Sequence, residues 1–97
     1  MQIENSDSIE VCGSSLSGYV TSTYDELVAV FGEPTFTDCD PREKVQCEWV
    51  LRIGDVVATI YNWKTGVVPL DVYEWHIGGF GRGEVDAVRR AIAEHRG

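Results

Sequence analysis

The run Lys44-Val-Gln-Cys-Glu-Trp-Val-Leu-Arg-Ile53, then Gly54-Asp55, then Val56-Val-Ala-Thr-Ile-Tyr-Asn-Trp63 decides the fold. Apolar and polar side chains alternate on both sides of a two-residue Gly-Asp connection, the pattern of a β-hairpin. The turn sets the register. Ile53 opposes Val56, Leu51 opposes Ala58, Trp49 opposes Ile60 and Cys47 opposes Asn62, so one side of the hairpin is apolar almost throughout. The other side pairs Arg52 with Val57, Val50 with Thr59, Glu48 with Tyr61 and Gln46 with Trp63, a half-polar surface. Such a hairpin rests one face on a core.

Working outward toward the N-terminus, residues 35–43 read as an acidic loop, preceded by a short helix. Thr23-Tyr24-Asp25-Glu26 matches a capping box, in which Thr23 accepts from the Glu26 N–H and the Glu26 side chain returns to the Thr23 N–H. Tyr24, Leu27, Val28 and Phe31 recur at helical spacing, and Gly32-Glu33-Pro34 supplies the stop. Ile3 to Val20 reads as a short strand or hairpin around the Gly13–Gly18 turn region. Toward the C-terminus, Val72 to Ile77 alternates as a third strand, with Tyr73, Trp75 and Ile77 on one side. Gly78 to Gly83 breaks it, and Glu84 to His95 closes the chain as a helix with a Val85, Val88, Ala91, Ile92 stripe. The expected fold class is α+β, an antiparallel sheet of three to four strands with two helices packed on one face. Residues 1–97 read as one domain, with 1–15 a candidate flexible N-terminal segment.

A hydrophobic content of 43% with ten aromatic residues suffices for one core. Neither a signal peptide nor a membrane helix is expected from MQIENSDSIE or from any apolar run. Cys12, Cys39 and Cys47 are odd in number and lack CxxC spacing, which points to free thiols and a cytoplasmic location. The charge is lopsided. Residues 1–41 hold eight acids and no Lys or Arg, whereas 42–97 hold eight of each sign, so the whole net charge of −8 sits in the first part of the chain. Direct nucleic-acid binding, which needs a basic patch, is therefore not expected; a basic protein surface is the better match.

The sequence offers little chemistry. The Gly-rich segment 78–83 fits neither G-x-G-x-x-G nor the P-loop, and a carboxylate, Glu84, opens the following helix. Residues 13–18 are not a nucleophile elbow. Cys39 or Cys47 with His76 lacks the local signature of a catalytic thiol. Glu74 and His76 share a strand face and would hold a divalent metal only if a third ligand such as Asp71 folded over, so a surface carboxylate–imidazole contact is expected instead. No enzyme activity, metal or cofactor is expected. The binding candidates are the acids Asp25, Glu26, Glu33, Asp38, Asp40 and Glu43, and the aromatics Tyr61 and Trp63 on the half-polar hairpin face.

Through Gly18-Tyr19-Val20, Tyr24 to Pro34, Glu48-Trp49-Val50-Leu51, Val57 to Lys64 and Trp75-His76-Ile77-Gly78-Gly79, the chain resembles a family of small, largely uncharacterised phage and prophage proteins over residues 16–79. The resemblance implies a viral or mobile-element origin and carries no catalytic residue or ligand with it. Two functions are expected to compete. One is an anti-defence inhibitor, such as an anti-CRISPR or anti-restriction protein, whose acidic surface occupies a basic nucleic-acid channel of a host complex in the manner of a DNA mimic. The other is a phage accessory protein that assembles with itself, as a homodimer, or with another phage protein through the aromatic face. Because no disulfide is assigned, the domain should melt at the same temperature with and without reductant; a reductant-dependent loss of several degrees would show that two of the cysteines are paired.

Overall fold

Two buried tryptophans hold the first helix to the sheet by both its ends. In the computed structural model, which describes residues 2–97, the chain runs β1 (Ile3–Asn5), β2 (Ser15–Ser22), α1 (Tyr24–Phe31), β3 (Phe36–Thr37), β4 (Cys47–Ile53), β5 (Val56–Tyr61), β6 (Tyr73–Gly79) and α2 (Glu84–Arg96). The Trp49 indole on β4 donates to the Gly32 carbonyl at the end of α1, 2.8 Å away, and the Trp75 indole on β6 donates to the Ser22 carbonyl just before its start, at 3.1 Å. The rings meet edge-on, with centroids 5.5 Å apart. A buried indole needs a partner for its N–H: Trp49 finds one among the carbonyls that a helix C-terminus leaves outside its ladder, and Trp75 finds one at the last residue of β2.

All strand pairings are antiparallel, in the order β1-β4-β5-β6-β2, with β3 also on β4. The fold is α+β as expected, but the sheet has six strands rather than three to four. The central hairpin has the expected register from Glu48 opposite Tyr61 to Ile53 opposite Val56. Its apolar side, Trp49, Leu51, Ile53, Ala58 and Ile60, joins Trp75 and Ile77 of β6 and Val20 of β2 in one core. That core also takes Leu27 and Phe31 from α1 and Val88, Ala91 and Ile92 from α2, so both helices cover the same face.

Four local readings change. The N-terminal stretch is not a hairpin: β1 pairs with β4 at one edge and β2 with β6 at the other. The first residues also belong to the sheet, since Ile3–Asn5 are paired and the Asn5 amide donates to the Phe31 and Glu33 carbonyls. Only half of the capping box forms. Thr23 accepts from the Glu26 N–H at 3.1 Å, but the Glu26 carboxylate turns to Ser22 and Arg96, an arginine seventy residues away. Gly78 and Gly79 extend β6 instead of breaking it. A Cβ on Gly79 would lie 2.5 Å from Glu84 Cδ, so glycine is the residue that lets α2 approach.

The outer edge of β2 is closed by α2. Arg89 donates two hydrogen bonds to the Tyr19 carbonyl, and Arg96 donates one to the Thr21 carbonyl. Among the described residues no helix is long and apolar enough to cross a membrane. Trp75→Phe, which leaves the buried Ser22 carbonyl without its donor, should cost about 1–3 kcal/mol, and Trp49→Phe, whose acceptor belongs to the exposed Gly32, should cost less. Denaturant unfolding of the two single variants measures this.

Candidate functional site

The second face of the sheet is covered over only part of its area. β1 and β2 lie at opposite edges, so residues 6–14 must cross the sheet, and the helices occupy the other side. The crossing starts where the Ser6 N–H donates to the Val50 carbonyl at 3.2 Å. Ile9, Val50 and Thr59 are buried although none of them belongs to the main core, which marks the strip beneath the strap.

Beyond the strap a row of side chains runs across five strands. The register aligns Phe36 (β3), Glu48 (β4), Tyr61 (β5), His76 (β6) and Tyr19 (β2), and neighbouring strands are roughly 4.8 Å apart. The His76 ring stacks on Tyr61 with centroids 5.4 Å apart and meets Tyr19 edge-on at 5.0 Å. Its Nδ1 is buried without a hydrogen-bond partner. Burial pushes the His76 pKa down, against a smaller upward pull from Glu74, so the ring is neutral at neutral pH. Burial raises Glu48, and it raises Tyr61 with further contributions from Glu48 and Tyr19. Trp63 lies edge-on to Tyr61 at 6.4 Å, with the Lys44 and Lys64 ammonium groups 5.6 and 6.0 Å from its ring.

Asn62 fixes this end of the sheet. Its side-chain oxygen accepts from the Gln46 and Cys47 N–H groups, and its amide donates to Gln46 Oε1 and Thr65 Oγ1. The Trp63 N–H donates to the Tyr73 hydroxyl at 3.2 Å. From this base the following loop presents Val67, Leu70 and Val72 at 67%, 72% and 70% exposure. Its signal in the sequence is a cluster of large apolar residues around Pro69, of which Val68 packs against the core and Val67 and Leu70 do not.

The acidic candidates do not form one array. Glu26 is ion-paired with Arg96 at 2.7 Å, Asp40 with Arg42 at 2.9 Å, and Glu4 with Arg52 at 2.9 Å. Arginines that follow residue 41 thus answer three of the eight acids that precede it. Asp25, Glu33, Asp38 and Glu43 are exposed. Asp25 and Glu33 lie near the two ends of α1, whereas Asp38 and Glu43 belong to the segment between β3 and β4.

The remaining chemistry is occupied or out of reach. Cys47 lies on the helix-covered face and burial pushes its thiol up to about 12, while His76 faces the opposite way. Cys12 and Cys39 are exposed and free. The Gly-rich loop holds an anion already. The buried Glu84 carboxylate accepts from the Gly81 and Arg82 N–H groups, at 3.0 and 2.7 Å, and from the Ser17 hydroxyl. No group of three His, Cys, Asp or Glu among the described residues is placed to hold a metal ion. Comparison of the chain with protein-family models, with curated proteins and with solved structures finds no match.

Burial alone would raise Glu84, but its hydrogen bonds from Ser17 and the backbone outweigh that and hold it below 4.5. Glu26 is lowered to about 2, chiefly by Arg96. Both carboxyls therefore add stability that is complete above 4.5 and is lost as pH falls through their folded values. Thermal melts should show a steep fall in melting temperature on acidification through this window. Glu84→Gln should melt lower at neutral pH and with a shallower acid dependence.

Proposed function

We propose that the protein is a non-catalytic binding domain that docks a basic protein partner on the uncovered part of its sheet. The observation that carries this reading is the exposure of Tyr19, Phe36 and Trp63 on that face, with the exposed Val67, Leu70 and Val72 on the loop that leaves it after Trp63, whose base is fixed by Asn62 and Tyr73. Monomeric proteins seldom leave so many large apolar groups in water without a partner, and aromatic anchors supply most of the energy of protein interfaces. The net charge of −8 and the exposed Asp38 and Glu43 beside this surface support a partner of opposite sign. A host complex with a nucleic-acid channel offers such a surface, which suits the anti-defence role that the phage-like sequence suggests.

A second reading, charge mimicry without the aromatic face, draws on the exposure of Asp25, Glu33, Asp38 and Glu43. The two separate cleanly in retention of a partner from nuclease-treated host lysate. Trp63→Ala and Leu70→Asp should each weaken retention by about 2 kcal/mol or more, about 30-fold, with modest salt dependence. Reversal of Asp25, Asp40 and Glu43 to Lys should weaken it less. Steep salt dependence, with loss on charge reversal and none on Trp63→Ala, would replace the docking face by mimicry.

A further inference from the structure

We propose, resting on the reading of this face as a docking surface, that the partner enters it with an arginine side chain whose guanidinium seats on Glu48 and Asp38 between Phe36 and Tyr61. The pairing places the components. Phe36, Glu48 and Tyr61 lie side by side on consecutive strands. The Asp38 N–H donates to the Gln46 carbonyl at 2.7 Å, which carries the β3–β4 pairing one step further and sets Asp38 on the same face as Phe36 and Glu48. Asp38 and Glu48 are then diagonal neighbours, roughly 7–8 Å apart at the backbone. Phe36, Asp38, Val45 and Glu48 line a groove of about 330 Å³.

Each wall matches one part of an arginine. The half-exposed Phe36 ring and Val45 offer apolar surface to a three-carbon stem, and Tyr61, outside the groove lining, stands on the next strand opposite Glu48 with one ring face stacked on His76. Asp38 Oδ1 already accepts from the Asp40 N–H at 2.9 Å, which leaves its Oδ2 and the Glu48 carboxylate as acceptors for a planar fork that can bridge two groups at this separation better than a compact ammonium can. No cation of the described chain serves Glu48. Arg42, Arg52 and Arg96 pair with Asp40, Glu4 and Glu26, and Lys44 and Lys64 lie against Trp63. Glu48 is also the carboxylate on this face that burial raises, so it is the one that gains most from an incoming positive charge.

The test is an NMR titration of the full chain with the capped tripeptide Ac-Gly-Arg-Gly-NH2 and with its citrulline isostere, which keeps shape and hydrogen bonding but lacks the charge. The arginine peptide should shift the amides of Phe36, Asp38 and Glu48 saturably and bind about tenfold more tightly than the citrulline peptide. Glu48→Gln should abolish that preference, Asp38→Asn should reduce it, and Trp63→Ala should leave it intact. Equal binding of the two peptides, or a preference that survives Glu48→Gln in a chain with unchanged dispersion, overturns the proposal. Because Trp63→Ala is expected to impair partner retention but not arginine capture, failure of the groove and failure of the docking face give different results.

Discussion

The edge-to-face contact of Trp49 with Trp75 is the constraint from which the rest of the architecture follows. Two large rings meeting at the middle of the sheet fill the space beneath α1. Because their N–H groups reach opposite ends of that helix, they set its position along the sheet as well as its height above it. α1 is only two turns long and would not persist alone, so its existence depends on this anchorage and on Leu27 and Phe31 beneath it. With α1 placed, α2 takes the remaining length of the same face. The N-terminal connection is then left with the opposite face as its route.

That division of labour explains why the two faces differ. One is closed by helices over an apolar core. The other is half closed by a strap whose single buried apolar side chain is Ile9, and the half beyond it keeps its aromatic side chains in partial contact with water. Asn62 stands at the boundary between ordered sheet and exposed loop. By satisfying backbone groups of the neighbouring strand through its side chain, it ends β5 without fraying it, and the apolar loop that follows departs from a fixed point.

Much of this was legible in the sequence wherever a pattern was local. The Gly54-Asp55 turn and the alternation around it set the hairpin register pair by pair, and Thr23 announced the start of α1. The pairing of β1 and β3 was not legible, because strands of three and two residues carry no periodicity and their partners are distant in sequence. Gly78 and Gly79 misled because a glycine pair reads as a break, and only the approach of Glu84 and Thr59 shows why a strand needs them. Of the candidate surface, Tyr61 and Trp63 could be placed from hairpin parity alone. Tyr19 and His76 joined them only through the β2–β6 and β5–β6 pairings. The charge asymmetry was real along the chain but weaker in space, since folding brings Arg52 and Arg96 onto Glu4 and Glu26.

The arginines that α2 extends to the Tyr19 and Thr21 carbonyls have a further consequence, for what the protein can become at high concentration. An eight-residue strand at the rim of a sheet is a template on which another chain can lay its own backbone, the first step toward fibrous aggregates. Guanidinium groups occupy acceptors that such a strand would need and bring positive charge to the rim. This rim is therefore less open to strand addition than the length of β2 alone would make it.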